Sequence, residues 1–436
     1  MKRIVCPPLA ALLFALLLLL CSCAKDEPLP ECVMSAERVV YGNRIYSVQS
    51  VEGKGVFLTY TEIGDEEQTV YVGCVDPLCS HDKNECAAFS NAPGSRIALV
   101  PQKKGFILYF FRTENFLRNP DDPSRGYGRR SDLLAMDMKT GKCSVVTSIP
   151  DMAGGLSYLL TDTHVYFTLN SLNMGIESDV QSVNIWRAPL TGGELEQCTF
   201  GEDAMTDGYR IEHYEDGVFY YRRGETLCRT DDEFASEEIV MERLNNLWSI
   251  TIRDGWVYYT DEREVVSVAP DEPKPENYAH VYDYMIGEYP EALDAANICT
   301  LKRTKVDGSG TTEALTSGIS TRADWCIVGS TLYCVPARFE LRGSIEWSAP
   351  ASPNSLSYIW SETGGDLWAT DLETGKTRAV FSDLGYDIQS ITDAGNGRLL
   401  VSGKVYGIDD IKRHIEAEEI WSSELRYTVW KLLDVE

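Results

Sequence analysis

The sequence predicts an all-β chain folded as a single β-propeller, and three observations carry that prediction. An apolar strand, a tight turn and an aromatic-rich strand return seven times. Each hairpin is followed by a third strand, a turn and a fourth strand, so the unit repeats roughly every 55–60 residues, the scale of propeller blades. With 23 Tyr, 13 Phe, 9 Trp and 34 Gly in 436 residues, the composition is that of strands and close turns. Seven copies imply seven four-stranded blades, although six or eight also fit the repeat.

The hairpins come in order along the chain. Val39-Val40-Tyr41 turns at Gly42-Asn43 into Ile45-Tyr46-Ser47-Val48, and Ile97-Ala98-Leu99 leads into Gly105-Phe106-Ile107-Leu108-Tyr109. Tyr158-Leu159-Leu160 is followed by Val165-Tyr166-Phe167. The fourth hairpin turns at Asp216-Gly217 into Val218-Phe219-Tyr220-Tyr221, and the fifth at Asp254-Gly255 into Trp256-Val257-Tyr258-Tyr259. The last two turn near Gly329-Ser330 and Gly395-Asn396-Gly397. Asp-Gly and Gly-Asn suit such turns because they tolerate positive φ. The clearest third strand is Leu367-Trp368-Ala369-Thr370-Asp371-Leu372-Glu373-Thr374-Gly375, which leads into a fourth strand at Thr377-Arg378-Ala379-Val380-Phe381.

Paired aromatics decide between a propeller and a sandwich. Tyr220 with Tyr221, and Tyr258 with Tyr259, put bulk on both faces of one strand. A sandwich strand wetted on one side should alternate polar with apolar. A blade covered by two neighbours wants both faces apolar, and closing the ring also hides exposed edges. The final repeat stops at a third strand, so residues 29–34 are expected to supply its outer strand and latch the ring. Residues 411–424 are the single plausible helix after the N-terminal segment.

Extra length falls mainly between second and third strands, at 113–131, 171–183, 261–297, 340–365 and 404–426. Strict up-down order brings these insertions to one face of the disc, where they would form a cap, and loops on a rigid scaffold commonly carry binding groups. Candidate ligand contacts there are Arg118, Arg129 and Arg130 for an anion, and Tyr282, Tyr284, Trp347 and Trp360 for sugar rings or peptides. The competing reading is that the arginines pair with local carboxylates and the aromatics pack the cap down.

The N-terminus reads as an export signal. Lys2 and Arg3 precede an apolar run over residues 9–20, shorter than the roughly 20 residues of a membrane span. Leu20-Cys21-Ser22-Cys23 then resembles a lipoprotein box, which implies cleavage after residue 22 and acylation of Cys23. The expected organisation is a lipoprotein signal peptide over 1–22, a lipid-anchored tether over 23–34 and the propeller over 35–436. This places the protein outside the cytoplasm, held by its acylated N-terminus to the cell membrane or cell surface. Against 40 basic residues stand 67 acidic ones, a formal charge of −27, which disfavours nucleic acid as a partner. A monomer is expected.

One local run is chemically sharp: Cys74-Val75-Asp76-Pro77-Leu78-Cys79-Ser80-His81-Asp82-Lys83-Asn84-Glu85-Cys86, placed by the repeat in the connection between the first two blades and so on the capped face. Cys74, Cys79, His81 and Cys86 could surround a tetrahedral structural Zn²⁺. A disulfide between two of the thiols, with the third free or joined to Cys32, is the competing reading for an exported chain. Cys326 and Cys334 flank one hairpin and are a disulfide candidate if its turn has three residues; a two-residue turn would set them on the diagonal. Cys143, Cys198, Cys228 and Cys299 read as apolar filler, and His164, His213, His280 and His414 stand alone.

Across residues 35–436 the Asp-x-x-Thr-Gly turn, the Asp-Gly-aromatic hairpin and the cysteine run make the chain resemble TolB-like propellers of surface lipoproteins from anaerobic gut bacteria. That resemblance implies a surface protein of undefined role, and its members are often six-bladed, so a count of seven departs from the pattern. No nucleophile elbow, phosphate loop, metalloprotease helix or dinucleotide fingerprint occurs in the sequence. The preferred expectation is a non-enzymatic binding or scaffold module for a glycan, peptide or protein. The alternatives are a propeller enzyme acting on extracellular glycans or peptides, and a metal-dependent module organised by the Cys/His run. No catalytic residues and no certain cofactor are assigned.

Overall fold

The computed structural model describes residues 29–436 except 66–67, 83–84, 93, 118–126, 151–157, 171–182, 201–207, 243–249, 261–283, 285–287, 289–297, 322, 339, 348–354, 362, 407–425 and 436. It is a seven-bladed β-propeller. A short strand, β1 (Cys32–Met34), precedes the blades. The first blade is β2 (Arg38–Tyr41), β3 (Arg44–Val51), β4 (Gly55–Glu62) and β5 (Tyr71–Val72). The second is β6 (Ala98–Gln102), β7 (Gly105–Leu117), β8 (Tyr127–Asp137) and β9 (Cys143–Pro150). The third is β10 (Tyr158–Thr161), β11 (His164–Asn170), β12 (Val183–Pro189) and β13 (Glu196–Gln197). The fourth is β14 (Tyr209–Glu215), β15 (Val218–Arg223), β16 (Thr226–Asp231) and β17 (Glu238–Met241). The fifth is β18 (Ile250–Arg253), β19 (Trp256–Thr260), β20 (Ile298–Lys305) and β21 (Thr312–Ser320). The sixth joins β22 (Cys326–Val328) and β23 (Thr331–Cys334) to β26 (Leu367–Asp371) and β27 (Thr377–Phe381), around a separate hairpin of β24 (Glu340–Trp347) and β25 (Ser355–Ser361). Among the described residues the seventh has three strands, β28 (Asp387–Asp393), β29 (Arg398–Tyr406) and β30 (Arg426–Asp434).

The seams between blades show why paired aromatics were needed. Tyr221 belongs to the buried cluster between blades three and four, with Leu159, Tyr166 and Phe219. Its neighbour Tyr220 faces the other way, into the cluster between blades four and five with Ile252 and Val257. The same switch recurs at Leu159 and Leu160, which serve opposite seams of blade three. Six such clusters among the described residues join successive blades from the first to the seventh. Fully buried Phe57, Phe110, Phe167 and Phe219 anchor the three seams that join blades one to four, each contributing about 1.5–3 kcal/mol. Across the remaining seam, Arg38 of β2 lies over the Trp430 ring of β30.

The Asp-Gly hairpins form as expected. Asp216 and Gly217 have φ of 52° and 76°, and Asp254 and Gly255 have 51° and 74°, the two successive left-handed residues of a type I′ turn. The third-to-fourth turns also share one chemistry. Asp371 Oδ1 accepts from the backbone N–H of Glu373 and Thr374 and from the Thr374 hydroxyl. Asp137 does the same with Lys139 and Thr140. These bonds hold both carboxyls below the usual carboxylate range.

Two expectations are corrected. The N-terminal strand does not complete the last blade. β1 pairs antiparallel with β10, the inner strand of blade three, in the register Cys32↔Thr161, Val33↔Leu160 and Met34↔Leu159. It also lies beside β6 and β14, so it occupies the axis of the ring rather than its rim. Inner strands present a free edge to the axis just as outer strands do to solvent, and the apolar Cys32-Val33-Met34 triplet is satisfied among Leu159 and its neighbours. The second correction concerns Cys326 and Cys334. The turn has two residues, Val328 pairs Thr331, and Cys326 therefore stands opposite Tyr333. Cys334 is the next residue along and faces the other seam of the blade, and both are free thiols.

Three of the insertions are ladders rather than loose loops. β7 and β8 stay paired out to Leu117↔Tyr127. β24 and β25 form their own hairpin, and β29 and β30 pair out to Tyr406↔Arg426. All three arms continue second-to-third connections and so rise on one face of the disc. The insertions at 171–183 and 261–297 lie largely outside the described residues, as does the expected helix at 411–424.

Candidate metal centre

The Cys/His run begins two residues after the outer strand of blade one and ends inside the seam with blade two. Gly73 N–H still donates to Leu58 O, continuing the β4–β5 ladder. The chain then leaves the sheet. Val75 rests on Gly141 in the third-to-fourth turn of blade two, where φ is 67° and any Cβ would run into the Val75 side chain, so glycine is required twice over. At the far end Phe89 bridges Phe57, and Ser90 Oγ donates to Phe111 O at 2.6 Å. Cys86 and Ala88 are buried in the cluster between these blades. The run therefore crosses the outer crevice between blades one and two, rather than lying over the mouth of the ring with the arms.

Local bonds shape the loop between those anchors. Asp76 starts an Asx turn, its Oδ1 accepting from Leu78 N–H at 2.9 Å, while its carbonyl accepts from Cys79 N–H at 3.2 Å. Ser80 Oγ donates to Asp82 at 2.8 Å, and Cys86 N–H closes on Asp82 O. His81 has a φ of 57°, an uncommon conformation for a side chain of its size. That turn folds the residue back, so His81 N–H points to Cys79 Sγ at 3.4 Å and its Nδ1 sits 3.7 Å from Cys86 Sγ.

The result is that ligand atoms of Cys74, Cys79, His81 and Cys86 all lie within 4.8 Å of one another. This Cys/His cluster could hold a metal ion. Burial pushes the Cys74 thiol up and the Cys86 thiol to about 12, and for Cys86 the neighbouring sulfurs add to the effect. A cation between them would supply the missing positive charge. Cys32 is not near: it belongs to the seam of blades three and four, where its thiol donates to Tyr214 O. His164 and His213 sit in blades three and four, and His280 and His414 lie outside the described residues. Cys228 and Cys299 are buried as expected, whereas Cys143 and Cys198 are half-buried.

Of the residues proposed for ligand contact, Arg130 and Tyr284 have described side chains. Arg130 stands at the base of the β7–β8 arm and is already paired with Glu114 and Asp132, each at 3.4 Å. Asp132 is buried and also takes Arg112 at 3.2 Å and Ser148 Oγ at 2.6 Å, a polar knot that the sequence did not reveal. Tyr284 is buried, which favours packing over presentation. Arg129, Trp347 and Trp360 fall within strands β8, β24 and β25, their side chains outside the described set. Arg118, Tyr282 and Cys23 lie outside the described residues.

No protein-family model matches the chain, and no curated protein matches it. Solved structures similar to it are remote. A TolB protein from Agrobacterium tumefaciens is 11% identical with a TM-score of 0.30, covering 58% of this chain and 76% of its own. An oligogalacturonate lyase in complex with manganese is 9% identical with a TM-score of 0.38, covering 86% of this chain and 93% of its own. Another, from Vibrio parahaemolyticus, has the same identity and TM-score and covers 86% and 88%. At such scores none carries an argument about activity or ligand.

Proposed function

We propose that this protein is a lipid-anchored β-propeller of the cell surface, a non-enzymatic binding or scaffold module for an extracellular glycan, peptide or protein. The reading keeps the resemblance to TolB-like surface lipoproteins and takes Cys23 as the acylated residue. The observation that carries it is the direction of β1. In an up-down blade the first-to-second and third-to-fourth turns share one face, and the second-to-third connections share the other. Glu31 accepts from Asp216 N–H, in a first-to-second turn of blade four. Ala36 then bridges Ile97, at the start of β6 on the opposite face. The chain therefore enters the axis from the tight-turn face and leaves it among the arms.

An acyl group on Cys23, eight residues before Glu31, would hold the tight-turn face toward the membrane. The arms of β7–β8, β24–β25 and β29–β30 would then point outward, where a partner can reach them. The acidic balance disfavours nucleic acid as a partner.

The test pairs location with binding. Cys23→Ser should move the protein from the membrane fraction to the soluble one; retention in the membrane would overturn the anchor. The released protein is then probed on glycan and peptide arrays, beside a variant in which residues 114–130 are replaced by a tight turn. Binding that the shortened arm abolishes, with an unchanged melting temperature, supports the reading. Binding indifferent to the arm overturns the assignment of that face.

A further inference from the structure

We propose that Cys74, Cys79, His81 and Cys86 bind one zinc ion as a closed structural site that staples blade one to blade two. The inference stands apart from the lipid anchor and from any partner on the arms, since it concerns the crevice at the rim.

Geometry is the first support. A tetrahedral zinc with Zn–S near 2.3 Å and Zn–N near 2.0–2.1 Å sets sulfur and nitrogen about 3.6 Å apart and two sulfurs about 3.8 Å apart. His81 Nδ1 to Cys86 Sγ measures 3.7 Å. The other ligand atoms are within 4.8 Å of one another, a gap that small side-chain rotations close. His81 Nδ1 is thus the ligating nitrogen, leaving Nε2 to donate a hydrogen bond outward. The His81 N–H directed at Cys79 Sγ is oriented to support a thiolate there.

Donor chemistry selects the ion. Three soft thiolates and an imidazole suit zinc and reject magnesium and calcium, which take oxygen. Four protein ligands complete the tetrahedron and leave no position for water or substrate, so the site is structural rather than catalytic. A disulfide accounts for the residues less well. It would use two sulfurs and leave a third thiol and the imidazole without a role, while Cys32 is held in another seam.

Position gives the ion its task. The tip of the run has little apolar burial to hold it, since Leu78 is 92% exposed and Val75 55% exposed. Yet Cys74 follows the edge strand of blade one, and Cys86 lies in the seam with Ala88 and Phe89. A metal joining them ties the outer edge of blade one to the seam it shares with blade two, beside a strand pair that β5 makes over just two residues.

The experiment uses the full chain, purified with a tag that binds no metal and without chelators. Elemental analysis should find about one zinc per chain. Cobalt exchanged for the zinc should give the intense visible absorption of tetrahedral thiolate coordination. Cys79→Ser and His81→Ala should each lose most of the metal, His81→Cys should retain it, and Cys334→Ser, a free thiol elsewhere, should leave it unchanged. Removing the ion should lower the melting temperature of the wild type and leave that of Cys79→Ser unmoved. Zinc below a tenth of an equivalent overturns the proposal, as does an unchanged content in Cys79→Ser. A mass short by two hydrogens, with a peptide linking two of the three cysteines, would establish the disulfide instead.

Discussion

The guanidinium of Arg38 lies over the indole of Trp430, its central carbon 4.5 Å from the ring centroid, and this contact closes the ring. Arg38 is on the inner strand of the first blade and Trp430 on the last described strand of the seventh. Among the described residues the six buried apolar clusters belong to the other seams, while buried Ile45 and Leu400 belong to none of them. Arg38→Ala should cost about 0.5–1 kcal/mol, the worth of a partly exposed cation–π pair. Hydrogen exchange should show β2 and β30 opening before β11 and β15, and faster still in the variant. Equal protection of β30 and β11 in the wild type would contradict this account of closure.

Ser35 tests the axial strand. It is buried, its Oγ accepts from Tyr158 N–H at 2.8 Å, and its own N–H donates to Tyr158 O at 2.9 Å. Ser35→Ala keeps the volume nearly constant and leaves the Tyr158 N–H without its partner. The expected loss is about 1–3 kcal/mol, the cost of a buried donor left unsatisfied. Denaturant melts of the two proteins measure it. A change of a few tenths would mean that β1 is not seated against β10.

The blades were legible in the sequence because their determinants are local. Asp254-Gly255 names its own turn, and Tyr220-Tyr221 declares two covered faces within two residues. The Cys/His grouping was legible for the same reason, since all four donors lie within one short loop. What stayed hidden depends on distant chain. Nothing in Cys32-Val33-Met34 says whether it meets the inner edge of blade three or the outer edge of blade seven; the choice rests on Leu159 and Leu160, more than 120 residues away. The crevice position of the Cys/His run depends likewise on Gly141 in the next blade. The arms were read as loops because their outer pairs, such as Tyr406↔Arg426, join segments separated in sequence, so the pairing is not visible in either segment alone.

Gly255 separates backbone strain from packing. Its φ is 74°, and nothing lies within 4 Å of where a Cβ would stand. Any loss on substitution therefore comes from the left-handed conformation alone. Gly255→Val should destabilise by roughly 1–2 kcal/mol, whereas Gly255→Asn, which tolerates that conformation, should cost distinctly less. Matched thermal melts give the comparison. Equal losses would show that the turn is not the type I′ hairpin that sets the register of β18 and β19.

His213 predicts how the fold responds to acid. Its imidazole is opposite Tyr220 near the axis, and burial lowers its pKa below the ordinary histidine value, with Glu215 and Glu31 pulling the other way. The folded state thus favours neutral imidazole, while the unfolded chain takes up its proton near pH 6.5. Stability from this group is present above that pH and is lost as pH falls through it toward the lower folded value. The wild type should lose melting temperature between pH 7.5 and 5.5. His213→Gln, which carries no titrating proton, should lose less over the same interval even if it is less stable at pH 7.5. Parallel pH slopes for the two proteins would remove His213 as the source, and a steeper slope in the variant would reverse the sign argued here.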